Sequence, residues 1–378
     1  RFRWQDTAWY LRVPIVQKLF HMMSDPGALR SLGLVETLEW TANVLNRVDR
    51  ASFFSAFEEG QAVQYFYEPF LEAFDPELRK ALGVWFTPHE IVQYMVARVD
   101  TVLREELALP DGLADPNVYV LDPCCGTGSY LVEVLRRIHK TLQGKRGDAL
   151  VGADVKAAAT ARVFGFEILP APFVVAHLQL GLLLQNLGAP FGDGKGERAG
   201  VYLTNALTGW EPLDPEKEKA FQSMLKGFPE LLDERDSAKQ VKRDKLILVI
   251  LGNPPYNGFA GVAVEEEREL SGAYRKAKAT RQPQGQGLND LYVRFFRIAE
   301  RRIVEQTGKG VVCFISNYSW LDGLSFTAMR ERYLEVFDRV WIDCLNGDKY
   351  KTGKLTPDGE PDPSVFSTEW NREGIQVG

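Results

Sequence analysis

Cysteine and histidine are scarce in this chain of 378 residues, four of each. Cys124, Cys125, Cys313 and Cys344 include no C-x-x-C pair, and His21, His89, His139 and His177 fall in no H-E-x-x-H spacing. These absences argue against a structural zinc site and a disulfide framework. No metal is expected, and a reducing, cytoplasmic compartment is the default. No stretch approaches the roughly 18 uninterrupted apolar residues of a membrane span, so no membrane partner is expected. The chain opens on Arg1-Phe2-Arg3-Trp4 without an apolar leader, which predicts no signal peptide, and stops mid-pattern at Val377-Gly378, as a piece of something longer would. No Gly-Lys is followed by Ser or Thr, which excludes a P-loop. A net charge of −6 has the wrong sign for a nucleic-acid footprint over the whole chain. The deficit is uneven, because residues 268–302 hold nine Arg and Lys against Glu269, Asp290 and Glu300.

What is present is an ordinary globular composition, 45% apolar and 25% charged, which argues against long disorder. In residues 1–85, Leu29, Leu32, Val35, Leu38, Ala42 and Leu45 recur every three or four positions and predict a helical region, read as a cap or spacer. From residue 86 to 378 the pattern becomes strands alternating with helices. Strands are expected at 118–121, 162–166, 201–203, 246–251, 310–315 and 339–343. That alternation predicts an α/β fold, a mainly parallel twisted sheet covered by helices on both faces. The charged stretch 206–245 reads as a helical insertion. Residues 257–288, rich in Gly, Gln and basic side chains, read as a long mobile loop.

Two motifs carry chemistry. Val120-Leu121-Asp122-Pro123-Cys124-Cys125-Gly126-Thr127-Gly128 takes an apolar strand into an acid, a glycine-bearing turn and a helix whose face is Leu131, Val134, Leu135, Ile138 and Leu142. Glycines let backbone N–H groups approach a ligand, and the following helix N-terminus favours an anionic group. The turn is not the G-x-G-x-x-G dinucleotide fingerprint, since a single G-T-G follows Cys125. Further on, Leu248-Val249-Ile250-Leu251-Gly252-Asn253-Pro254-Pro255-Tyr256 sets an Asn-Pro-Pro-Tyr at the C-terminal end of a strand, the edge where open α/β sheets bind ligands. The prolines fix the backbone and leave carbonyls free to accept. Asn253 and Pro254 thus offer two acceptors beside the aromatic face of Tyr256, which suits an exocyclic NH2 on a flat ring. Two acceptors draw the amine hydrogens out of conjugation and localise the lone pair for attack.

Together these motifs resemble the cofactor and catalytic segments of γ-class amino-group DNA methyltransferases, which methylate adenine N6 with S-adenosylmethionine. Phe86-Thr87-Pro88-His89-Glu90 is similar to that family's first motif. Locally it reads as a capping box between Thr87 and Glu90 with Pro88 at the first helical position, ahead of the apolar face Ile91, Val92, Met95, Val96 and Val99. Tyr65-Phe66-Tyr67-Glu68-Pro69-Phe70, Phe164-Gly165-Phe166-Glu167 and Asn317-Tyr318-Ser319-Trp320-Leu321-Asp322-Gly323 resemble segments of Type ISP and Type IIG-like restriction–modification or phage-defence polypeptides. The resemblance implies a Rossmann-like, S-adenosylmethionine-dependent methyltransferase fold. It implies cofactor contacts from Thr87, Pro88, Asp122, Pro123, Gly126, Thr127 and Gly128. Glu167, with Asp154 as the rival, would hold the ribose, and Asn205 the cofactor adenine. Catalysis would fall to Asn253, Pro254, Pro255 and Tyr256, with Phe366 either stacking on a flipped base or only packing. The implied partner is duplex DNA with its target adenine extruded, and target-recognition and nuclease or translocase parts would lie outside these residues.

Other readings stay open at this stage. Arg275, Lys276, Lys278 and Arg281 either hold phosphates or form a solvated basic loop. The stripe Leu288, Leu291, Tyr292, Phe295, Ala299 and Ile303 reads as core. Cys124 and Cys125 lie in the cofactor turn and neither reads as a nucleophile. Cytosine N4 methylation uses the same chemistry; methylation of RNA or of protein glutamine, and a non-catalytic cofactor- or DNA-binding module, are the alternatives of other classes.

Overall fold

The computed structural model describes residues 87–345 apart from 147, 193–196, 213, 228 and 257–264. It also describes 13, 17–18, 26–31, 33–49, 52 and 359. The segment 65–70 and Phe366 lie outside the described residues. Of the expected N-terminal helices, α1 (Pro26–Ser31) and α2 (Val35–Leu45) are described.

The remaining chain alternates as its apolar patterning dictates. The order is α3 (His89–Glu105), β1 (Tyr119–Asp122), α4 (Ser129–Arg146), α5 (Asp148–Ala161), β2 (Val163–Glu167), α6 (Pro170–Asn186) and β3 (Gly200–Leu203). Then come α7 (Pro215–Met224) and α8 (Pro229–Asp244) in the charged stretch, β4 (Ile247–Gly252), α9 (Glu265–Leu270), α10 (Leu291–Glu300), β5 (Val311–Phe314), α11 (Ser319–Asp322) and α12 (Thr327–Val336). The five strands form one sheet in the order β3-β2-β1-β4-β5, every pair parallel. After β3 the chain returns to the middle and continues on the far side of β1. The ends of β1 and β4 therefore flank the point where the strand order reverses, which is the crevice that binds ligands in such sheets.

Both faces of the sheet are buried, so its central strands read as unbroken apolar runs. Val120 and Val163 point into one layer with Val96 and Val99 of α3, Leu135 and Ile138 of α4 and Ala176 of α6. Leu121 and Phe164 point into the other with Ala238 and Val241 of α8 and Phe295 and Ile298 of α10. Fully burying a Leu, Val or Phe side chain is worth about 1.5–3 kcal/mol, so these two layers supply the main driving force for the fold. Of the stripe from Leu288 to Ile303, Phe295, Ala299 and Ile303 are buried in the second layer, while Leu288 and Tyr292 are buried in a separate cluster with Tyr274, Phe326 and Met329.

Three local expectations change. The strand expected at 339–343 does not form. Tyr94 Oη donates to Asp343 (2.8 Å) and Arg339 pairs with Glu106, which tie this segment to α3 and its C-terminal end. A cavity of about 520 Å³ is lined by Tyr94 of α3, Cys313 of β5 and Trp341 of this segment. The capping box is not made either: no side chain caps α3, whose first N–H groups at Ile91 and Val92 bond to the Pro88 carbonyl. Finally, the stretch expected as a mobile loop is folded from Glu265 onward. Tyr274, fully buried, donates from Oη to Glu300 (2.6 Å). Glu331 of α12 accepts the backbone N–H groups of Lys278, Ala279 and Thr280.

Candidate active site

Asp122 ends β1 with its side chain fully buried. One carboxylate oxygen accepts the Cys124 N–H (3.0 Å), while Oδ2 has no partner. Gly252, at the end of β4, allows this approach: a Cβ there would lie 2.6 Å from Asp122 Oδ1. Burial, reinforced by the nearby Glu167 carboxylate, pushes the Asp122 carboxyl up to about 7 against the pull of its hydrogen bonds with Cys124. The turn that follows holds Gly126 at φ +53°, where a side chain would meet only open space. Gln179 of α6 steadies the turn by donating to the Thr127 carbonyl (2.7 Å).

Glu167 ends β2 and faces the same turn. Its carboxylate accepts three backbone N–H groups, from Gly126 (2.9 Å), Ile168 (2.9 Å) and Leu169 (2.8 Å). Burial raises its pKa and these three bonds oppose the rise. Asp154, the rival for the ribose role, lies within α5 and not at a strand end. Asn205 follows β3 by two residues, and its amide is engaged at both ends. Its Oδ1 accepts from Leu207 N–H (2.9 Å), and its Nδ2 donates to Glu267 (2.8 Å), which also pairs with Arg294 (3.1 Å). Lys242 of the insertion braces this turn from the other side. Its Nζ reaches Thr204 Oγ1, the Asn205 carbonyl and the Thr208 carbonyl, and burial lowers its pKa to about 7.

Asn253 follows β4 directly. Its Nδ2 donates to Thr87 Oγ1 (3.1 Å), so the Thr-Pro turn ahead of α3 abuts the Asn-Pro-Pro-Tyr. The Tyr256 hydroxyl lies 2.9 Å from Asn253 Oδ1 and 2.8 Å from the Ile315 carbonyl. Its single hydrogen serves one of these acceptors at a time. Pro254 is buried, whereas Asn253, Pro255 and Tyr256 are part-exposed. Tyr256 packs on Tyr292, ring centroids 5.9 Å apart. The Tyr292 hydroxyl is buried without a partner. Burial also pushes the Cys124 and Cys125 thiols up, away from the thiolate a nucleophile needs.

The structure thus gathers Thr87, Pro88, Asp122, Pro123, Gly126, Thr127, Gly128 and Glu167 around the strand ends with Asn253 to Tyr256. The side chains of Arg275, Lys276, Lys278 and Arg281 are all exposed on the 271–290 segment. Lys278 pairs with Glu335 (2.9 Å), Arg275 donates to Asn289 (3.1 Å) and Arg281 to Gln284 (3.3 Å). Sequence reasoning missed Lys242, Glu267 and the hydroxyl of Tyr292. The run Glu265-Glu266-Glu267 inside a basic segment was the one available signal for Glu267; a buried lysine and an orphan hydroxyl leave none.

The N-6 DNA Methylase family model matches residues 59–186, and the Eco57I restriction-modification methylase model matches residues 162–344. Each model matches less than half of the chain, so its N-terminal part is similar to the N-6 DNA methylases and its C-terminal part to the Eco57I methylases. Three solved structures share its fold. The DrdV–DNA complex is 23% identical with a TM-score of 0.57, covering 88% of this chain and 29% of that one. A nuclease-deletion mutant of the Type ISP restriction-modification enzyme LlaGI, in complex with a DNA substrate mimic, is 20% identical with a TM-score of 0.60, covering 92% and 27%. The ATP-dependent Type ISP enzyme LlaBIII bound to DNA is 23% identical with a TM-score of 0.55, covering 73% and 17%. The chain therefore spans less than a third of the length of each. No curated protein matches it in sequence. Among the described residues, no helix is long and apolar enough to cross a membrane.

Proposed function

We propose that this chain is the methyl-transferring part of a restriction–modification or phage-defence protein, acting on N6 of adenine in duplex DNA. The observation that carries the reading is the juxtaposition at the sheet's reversal point: the Asn253 amide, held by Thr87, stands at the end of β4 beside the Asp122 turn at the end of β1. The donor set fits S-adenosylmethionine. Asp122 Oδ2, buried and without a partner, suits a cationic or hydrogen-donating ligand, and Glu167 adds a second carboxylate. The open space at Gly126 leaves room for a ligand against the backbone. When bound, this cofactor supplies the electrophilic methyl group.

The chain's own residues do the rest. Asn253 Oδ1 and the Pro254 carbonyl accept the two amine hydrogens, which localises the nitrogen lone pair toward the methyl group. The Tyr256 ring offers a stacking face, and Phe366 a second one. A base inside a duplex cannot reach a buried strand end, so the target nucleotide leaves the stack. The reaction needs no metal and no covalent link to the enzyme. Asp122, Pro123, Gly126, Thr127, Gly128 and Glu167 hold the cofactor, with Thr87 and Pro88 at its methionine end and Asn205 near its adenine. Arg275, Lys276, Lys278 and Arg281 take a peripheral role on the phosphates. Target-recognition and nuclease or translocase parts are assigned to chain outside these residues, and the protein to the cytoplasm. The test is transfer of labelled methyl from S-adenosylmethionine to duplex DNA, followed by digestion to nucleosides. N6-methyl-2′-deoxyadenosine supports the reading; N4-methyl-2′-deoxycytidine or an unlabelled digest refutes it.

A further inference from the structure

The groups assigned to the cofactor and the substrate amine run along the carboxyl edge of the sheet, one strand end at a time. Asn253 follows β4, Asp122 ends β1, Glu167 ends β2 and Asn205 follows β3. Strands lie about 4.8 Å apart, so the three spacings span about 14 Å, which an extended nucleoside with an amino-acid arm can cover. The Thr204 N–H donates to the Glu167 carbonyl (2.8 Å), which sets Asn205 beside that second carboxylate at the far end of the span. A purine amine arriving there needs an acceptor. An asparagine amide provides one in only one of its two orientations, which differ little in shape.

The orientation of Asn205 is fixed from both ends. The turn that carries it is clamped: Glu266 accepts the Gly209 and Trp210 N–H groups (3.1 and 3.3 Å), and Lys242 holds three of its oxygens. Within the turn, the Leu207 N–H can only donate, so it takes Oδ1 (2.9 Å). At the other end stands Glu267 of α9, whose two oxygens are divided. Its Oε2 pairs with Arg294 (3.1 Å), and its Oε1 accepts from the Asn205 amide (2.8 Å). A carboxylate paired with a guanidinium only accepts, so Nδ2 must turn toward it. Oδ1 keeps its second lone pair, on a side chain that is part-exposed.

We infer that Glu267 is a positioning residue for the cofactor's adenine: with Arg294 behind it and the Leu207 N–H opposite, it locks the Asn205 amide so that Oδ1 accepts the exocyclic amine. This rests on the proposed function. It gives the short helix after the catalytic segment a part in selecting the cofactor. It also explains why an amide serves at position 205, since a carboxylate there would face the Glu267 carboxylate.

The experiment uses the intact protein with Glu267→Gln, Asn205→Asp and the two together. Calorimetry measures affinity for S-adenosylhomocysteine, the demethylated cofactor, and for S-inosylhomocysteine, in which an oxygen replaces the purine amine. Wild type should favour the first by about tenfold or more. Glu267→Gln keeps one oxygen, which the charged Arg294 claims, so an NH2 then confronts the Asn205 NH2. The preference should fall to about twofold or less. Asn205→Asp sets two carboxylates against each other and should weaken binding of S-adenosylhomocysteine about tenfold. The double variant restores every bond, because the introduced amide donates to the introduced carboxylate. Its affinity and preference should return to within about threefold of wild type, which also keeps the test decisive if a single variant folds poorly. An unchanged preference in Glu267→Gln, losses that multiply in the double variant, or equal affinity of wild type for the two ligands would overturn the inference while leaving the function standing. A wild-type protein that binds neither ligand would refute the cofactor reading, and this inference with it.

Discussion

Asp122 should make cofactor binding depend on pH near neutrality, which few carboxylates do. Its side chain is fully buried, one oxygen has no partner, and its pKa is raised to about 7 from an ordinary 3.8. A cationic ligand binds the ionised form better than the protonated one. In the free protein the ionised fraction is about one half at pH 7 and about one tenth at pH 6. If binding requires the carboxylate, affinity for S-adenosylmethionine should weaken about tenfold between about pH 8 and pH 6, some 1.4 kcal/mol. Titration calorimetry of the intact protein over this range, beside Asp122→Asn, isolates the contribution. The variant should bind more weakly at pH 8 and lose most of the dependence. Parallel pH profiles for wild type and variant would refute the reasoning, since the titrating group would then lie elsewhere.

The same carboxyl links to stability with a definite sign. Its pKa is higher folded than unfolded, so its contribution is fullest below about pH 4 and is lost as pH rises through about 7; melting of wild type against Asp122→Asn should converge in acid and diverge above neutrality, the variant being the more stable there. Glu167→Ala strands three backbone N–H groups and should cost about 3 kcal/mol of stability as well as cofactor affinity, read by denaturant melts and calorimetry. Tyr292→Phe removes a buried hydroxyl that has no partner, so its melting temperature should equal or exceed that of wild type; a drop of several degrees would mean the hydroxyl is satisfied.

The parts of this molecule that were legible in its sequence are those built from repeating apolar signals. The runs at 118–121 and 246–251 announced β1 and β4 within a residue or so, because strands buried on both faces admit only apolar side chains. The Leu131 to Leu142 and Ile91 to Val99 periodicities likewise marked the faces that α4 and α3 bury. What failed was decided by partners far along the chain. The apolar Val340-Trp341-Ile342 looked like a strand, but Tyr94 and Glu106 hold the segment to the α3 side, where it has no ladder to join. Thr87 looked like a helix cap, yet its hydroxyl is claimed by a residue 166 positions away. The basic stretch near residue 278 looked unstructured because its charges dominate its composition. Its anchors, Tyr274 on Glu300 and backbone N–H groups on Glu331, are single contacts that no local pattern reveals.

The central claim is that Asn253 activates an adenine amine beside a cofactor held at Asp122 and Glu167. Its most direct test is methyl transfer by the intact protein and by Asn253→Ala, with labelled S-adenosylmethionine and nucleoside analysis of the DNA. Wild type should yield N6-methyl-2′-deoxyadenosine; the variant should yield none while still binding the cofactor with near-normal affinity. Equal transfer by both proteins, or label appearing on any base other than adenine, would contradict the account.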